Sequence, residues 1–252
     1  MQGDLLASGT GLPEAVQRSV TAFVDAAKEA FGEDLVSILL FGSAAEQRLR
    51  ATSDVNILLV LKRFDQAQAD LFREPLRLAH AAVNVNAMFL LEAEIPAALD
   101  AFAMKFADIL SRHRVLHGSN PFAGATVSNS ALLFRVRQDL LNLQIRLRQR
   151  YILISLREEQ LGRVIADAAS PLRASAASIL HIEGESAPSP KIALERLVAR
   201  FNDPAFGEVL SAMSAVRAGE RLAPGRGQPV LLDLMRLTER LHAEADRLPA
   251  SD

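Results

Sequence analysis

The chain has 252 residues, half of them apolar, with 28 Lys+Arg against 30 Asp+Glu and a net charge of −2. That length suits one large or two modest domains with a sizeable core, and the balanced charge creates no global field toward nucleic acid or a membrane. Cysteine is absent, which excludes disulfides, thiolate metal sites and cysteine nucleophiles, and fits the cytoplasmic location expected of this chain.

The first residues carry neither a basic stretch nor a long apolar one, so no signal peptide is expected. No run approaches the roughly 18 apolar residues of a membrane span. Pro13 suits a helix start, and Val16, Val20, Phe23, Val24, Ala27 and Phe31 recur at helical spacing until Gly32. Two short apolar runs, 35–41 and 55–61, read as strands buried on both faces. Helical spacing returns over 66–82, a third strand is expected over 83–91, and Pro96 opens a helix over 97–111. Residues 114–116 complete the set as a short edge strand. Alternating helices and strands predict a mixed α/β sheet domain over 13–122.

From Ser128 the pattern is helical only, predicting an all-α bundle over 128–248. Its helices are expected at 129–156, 158–182, 191–201, 204–217 and 230–247, with Pro171 kinking or dividing the second. In the first, Leu133, Val136, Leu140, Leu143, Leu147, Tyr151 and Ile154 form the inward face. Arg135, Arg137, Arg146, Arg148, Arg150 and Arg157 on the same helix could form a phosphate-facing stripe. Aromatic residues for base stacking are almost absent, so a solvated face is preferred and nucleic acid is not expected as a partner.

The chemistry lies between the first two strands. Leu35 to Phe41 ends in Gly42-Ser43, and the second strand is entered through Ser53-Asp54-Val55-Asn56. This resembles the polymerase β-type nucleotidyltransferase superfamily: an apolar strand, Gly-Ser, roughly a dozen residues, then Asp-x-Asp on the next strand. The resemblance covers about 13–122 and implies a nucleoside triphosphate and Mg2+, held by three carboxylates. Nucleotidyl transfer in such enzymes uses two metals about 3.5–4 Å apart. Here the second position is Asn56, and Val85-Asn86-Ala87-Met88 places Asn86 at the third, with Asn84 as an alternative two residues earlier. Asp54 is therefore the remaining catalytic and metal-ligating candidate. Gly42, Ser43, Ser53, Asn56 and Asn86 are the candidates for holding nucleotide. Strand parity should turn Asp54 and Asn56 the same way, into a cleft shared with the Gly42-Ser43 turn.

Replacing Asp by Asn twice preserves shape and removes charge, so metal and nucleotide are expected to bind weakly. The favoured expectation is a nucleotidyltransferase-fold protein with little or no transfer activity, acting as a nucleotide-binding or regulatory module. Two alternatives stand beside it: an active enzyme moving a nucleoside monophosphate to a small molecule or protein, with Glu92, Glu94 or a bundle residue supplying an acid, and an antitoxin-like partner-binding protein. A protein partner or a second copy would engage the bundle. Helical bundles in this position resemble the C-terminal bundle of kanamycin nucleotidyltransferase or the HEPN ribonuclease fold. The spacing of Arg173 and His181 falls outside the HEPN motif. His113 and His117 stand four apart on an expected strand, too far apart to share a metal.

Overall fold

The structure is a computed structural model that describes residues 12–46 and 54–249. The chain falls into two compact units dividing between Val127 and Ser128.

In the first unit, α1 (Glu14–Phe31) leads through a 3₁₀ turn into β1 (Leu35–Phe41), and a second 3₁₀ turn, Gly42–Ala44, follows that strand. β2 (Val55–Leu61), α2 (Gln66–Val83), β3 (Val85–Leu91), α3 (Ile95–Ala101), α4 (Ala103–Ser111) and β4 (His113–Gly118) complete it. The sheet order is β3-β2-β1-β4. β1 runs antiparallel to β2 and β4, whereas β2 and β3 are parallel, so the sheet is mixed as expected.

Alternation along the strands divides the core. Ile38, Leu40, Val55, Ile57, Leu59, Leu61 and Val85 pack with Phe23, Phe31 and Phe72 of α1 and α2. Leu39, Phe41, Leu58, Val60 and Leu90 point the other way, toward Ala98, Phe106 and Ile109 of α3 and α4 and toward Phe122. The two inner strands are thus covered on both sides, which is why they read as continuous apolar runs.

In the first unit, three elements differ from the sequence expectation. The third strand starts at Val85, not Val83, because Val83 ends α2 and Asn84 caps it in the left-handed conformation (φ 54°, ψ 45°). Asn tolerates that region better than most residues. The helix expected over 97–111 is two helices broken at Phe102. β4 is longer than 114–116 because its pairing with β1 extends from His113 to Gly118.

The second unit holds α5 (Asn129–Ile154), α6 (Glu158–Ile182), α7 (Pro190–Arg200), α8 (Pro204–Arg217) and α9 (Gly227–Arg247). α6 packs on the other four helices, and α5 packs on α6 and α9. Pro171 does not divide α6, which runs through it as one helix. Leu161, Ile165, Leu172, Ala176 and Ile179 are buried along its length, so tertiary packing offsets the lost backbone bond. Ser128, Ser189 and Asp203 cap α5, α7 and α8 by accepting from backbone N–H groups.

Candidate functional site

β1 ends at Phe41, which pairs with Asn56, and the chain then turns at Gly42 with φ 73°. Only glycine adopts that conformation without cost, and it brings the turn beside the second strand. A β-carbon on Gly42 would lie 3.7 Å from the Asn56 amide nitrogen. Gly42 and Ser43 open a 3₁₀ turn, whose leading N–H groups are not consumed by its own hydrogen bonding. The Gly42 turn and Asn56 are therefore neighbours, as the motif spacing predicts. Ser53 lies outside the described residues.

The parallel register of β2 and β3 settles which asparagine stands beside which. Val55 pairs with Val85 and Asn56 with Asn86, so Asn56 and Asn86 are adjacent on one face of the sheet. Just before each strand, the Asn84 amide donates to the Asp54 carboxylate, and the Val55 N–H donates to the Asn84 carbonyl at 3.1 Å. Asp54, Asn84 and Asn86 are exposed and Asn56 is half-buried. The leading ends of two parallel strands thus present one carboxylate and three amides. Asn84 is a partner of Asp54 and not the third strand position.

A contact between residues 54 and 84 depends on strands brought together by a helix of 18 residues, so no local pattern along the chain announces it. Its consequence is electrostatic. A carboxylate that accepts from an amide is already partly satisfied, and an incoming cation must displace or share that bond. The row of Asp54, Asn56 and Asn86 thus holds one carboxylate and two amides. Among the described residues no group of three or more His, Asp or Glu side chains is placed to hold a metal ion.

Glu92 and Glu94 stand apart from this row. They follow β3 at its far end, whereas Asn86 is at its start, and six residues of strand span about 20 Å. Glu94 also accepts from the Leu91 N–H at 2.9 Å and so caps the turn it occupies.

A different ionic cluster sits just beyond the Gly42 turn. Arg112 donates to Glu46 at 2.8 Å and to Asp108 at 2.7 Å, joining the turn to the end of α4. Burial pushes the Asp108 carboxyl above its usual range, against the pull of Arg112. Burial also works to lower the Arg112 guanidinium, but Asp108 and Glu46 outweigh it, and its net shift is upward. Nothing in the sequence pattern singles out Glu46 or Arg112, which are 66 residues apart. Glu46 is thereby committed to an ion pair.

The histidines of β4 serve the fold. His113 shares a hydrogen bond of 2.8 Å with the Ile109 carbonyl, and the His117 carbonyl accepts from Ser37 at 3.0 Å. Burial, then the charge of Lys28, holds the His117 imidazole below its ordinary pKa. The arginines of α5 do not form one free stripe either. Arg137 donates to the Ala245 carbonyl at 3.0 Å at the end of α9, and Arg148 pairs with Glu239 at 3.0 Å.

No protein-family model matches the chain, and no curated protein matches it. Among solved structures, the spectinomycin adenyltransferase AAD(9) from Enterococcus faecialis, solved with ATP and spectinomycin, is similar over 91% of this chain and 99% of its own, with a TM-score of 0.60 and 12% identity. The likeness extends through both units and matches the mixed sheet and the helices after it. The chain has the fold of the polymerase β-type nucleotidyltransferases.

Proposed function

We propose that this protein is a nucleotidyltransferase-fold module that binds nucleotide weakly and transfers little or no nucleoside monophosphate. The observation that carries the reading is the row Asp54, Asn56, Asn86 at the leading ends of β2 and β3, with one carboxylate where three are expected. Gly42 and Ser43 would receive phosphate oxygens on backbone N–H groups, and Asp54 would be the sole anionic ligand for a cation. The adenyltransferase that shares the fold was solved with ATP, which supports a nucleotide as the ligand class.

Each Asn keeps the size and hydrogen-bonding capacity of an Asp and gives up its charge. A glycine turn beside a polar row that carries a third of the expected anionic charge favours binding over the two-metal reaction, so a regulatory role follows more readily than a catalytic one. Glu92 and Glu94 lie about 20 Å along β3, and Glu46 is paired to Arg112, so none of these three acids stands ready to restore the charge.

The test is titration calorimetry with magnesium and ATP or GTP, alongside a radiolabelled transfer assay. Weak binding and undetectable transfer are expected of the wild type, and stronger magnesium binding of the Asn56→Asp/Asn86→Asp protein. Robust wild-type transfer that Asp54→Ala abolishes would overturn the proposal.

A further inference from the structure

α5 is apolar on two opposite sides. Its inner side buries Leu133, Val136, Leu140, Leu143 and Leu147 within the second unit. On its outer side Phe134, Leu141, Ile145 and Ile152 remain 65%, 46%, 54% and 82% exposed. The outer positions are not scattered. Residues 134, 138, 141, 145, 148 and 152 follow the alternating steps of four and three that place side chains on one seam of a coiled coil. At 100° per residue, Phe134, Leu141, Ile145 and Ile152 fall within about 20° of one line along the helix. A helix that is apolar all round is normally covered.

We propose that this seam is a homodimer interface in which α5 packs antiparallel against α5 of a second copy. The occupant follows from the order of residues about the level of Leu143. Phe134 and Ile152 lie nine residues either side of it, Leu141 and Ile145 two, and Gln138 and Arg148 five. A two-fold axis crossing the outer seam at that level sets Phe134 against Ile152 and Leu141 against Ile145, apolar on apolar at every such layer. It sets the seam's Arg148 against Gln138. Parallel packing would instead stack Arg148 on Arg148 in one layer, whereas the antiparallel pair sets each Arg148 level with an amide.

The antiparallel arrangement gathers Arg137 and Arg148 of both copies along one flank of the seam, and there the charge is already matched within each unit. Arg148 is paired with Glu239, and Arg137 with Asp246 at 3.2 Å. The opposite flank carries Gln138 and Gln149, and Arg135 donates to the Gln138 side-chain oxygen at 2.5 Å. A self-complementary patch of this kind is what a two-fold dimer requires.

Size sets the strength. α5 has 26 residues, so it is about 39 Å long, and a seam about 10 Å wide covers about 400 Å² a side. That is below the roughly 800 Å² per partner of a standard stable interface, so the dimer should be weak and concentration-dependent.

Sedimentation velocity on the full chain across the micromolar range should show a reversible rise from 27.3 kDa toward twice that mass. Ile145→Glu should hold the protein at the monomer mass with an unchanged circular dichroism spectrum. Orientation is read by chemistry that the absence of native cysteine makes clean. Mixing Phe134→Cys protein with Ile152→Cys protein under mild oxidation should give a disulfide-linked pair containing one of each. Two copies of residue 134 would be about 27 Å apart in the antiparallel pair and cannot join. A monomer at every concentration, a dimer indifferent to Ile145→Glu, or linkage of Phe134→Cys mainly to itself would each overturn the proposal.

Discussion

The two faces of the central strands are built by one alternation and put to different uses. On β2, Val55, Ile57, Leu59 and Leu61 turn toward α1 and α2 and are fully buried. On the opposite face Leu58 and Val60 are buried under α3, α4 and Phe122, but the row opens at Asn56 and continues to Asp54. One face is a core from end to end, and the other changes from core to polar site within two residues. It follows that the fold does not depend on what occupies positions 56 and 86. The polar row can change while the strands stay in place, because the packing is carried by the buried apolar residues of both faces.

The largest effect should come from that covered face. Leu59→Ala removes a fully buried side chain among α1 and α2 and should cost about 2–5 kcal/mol in urea unfolding. A loss under about 1 kcal/mol would mean that this face is not the one that holds the sheet together.

At the open end the same strands should tolerate substitution and change affinity instead. Asn56→Asp with Asn86→Asp should strengthen magnesium binding by about a hundredfold, since the count of charged ligands sets cation affinity over orders of magnitude. Calorimetry reads this directly. An unchanged affinity would place the cation elsewhere, or nowhere.

Gly42→Ala probes the turn where core gives way to site. The added carbon would meet the Asn56 side chain at an ordinary contact distance of 3.7 Å, so the cost is that of holding φ near 73°. That should be about 1–2 kcal/mol in thermal or chemical unfolding, and nucleotide binding should weaken with it if the turn receives phosphate.

The smallest effect lies outside both regions. The hydrogen bond from Gln68, helped by the Arg63 side chain, holds the Asp34 carboxyl below its ordinary value of 3.8, against the opposing effect of burial. A lowered carboxyl contributes stability above pH 3.8 that is lost as the pH falls through its folded value. Asp34→Asn should therefore melt slightly below the wild type at neutral pH, and the difference should shrink in acid. A gap that widens in acid would contradict the assigned direction.

Much of this architecture was legible in the residues. The runs at 35–41 and 55–61 match β1 and β2 because strands buried on both faces need continuous apolar side chains. The helices after Ser128 were legible for a similar reason, since each repeats its buried residues at helical spacing. Local rules were weaker where tertiary contacts compete. Pro171 is a helix breaker by propensity, yet α6 continues through it because the surrounding helices bury both halves.

The periodicities, the Gly42-Ser43 turn and the lone acid at position 54 follow from the order of residues alone, because each depends on neighbours along the chain. That Asn86 stands beside Asn56, and that Asn84 holds Asp54, emerges only once the strands are assembled, since register is fixed by packing between distant segments. The same assembly sets Glu92 and Glu94 at the far end of β3 from Asn86 and ties Glu46 to Arg112. It also leaves the outer seam of α5 exposed, a property that depends on which side of a two-faced helix the rest of its unit covers.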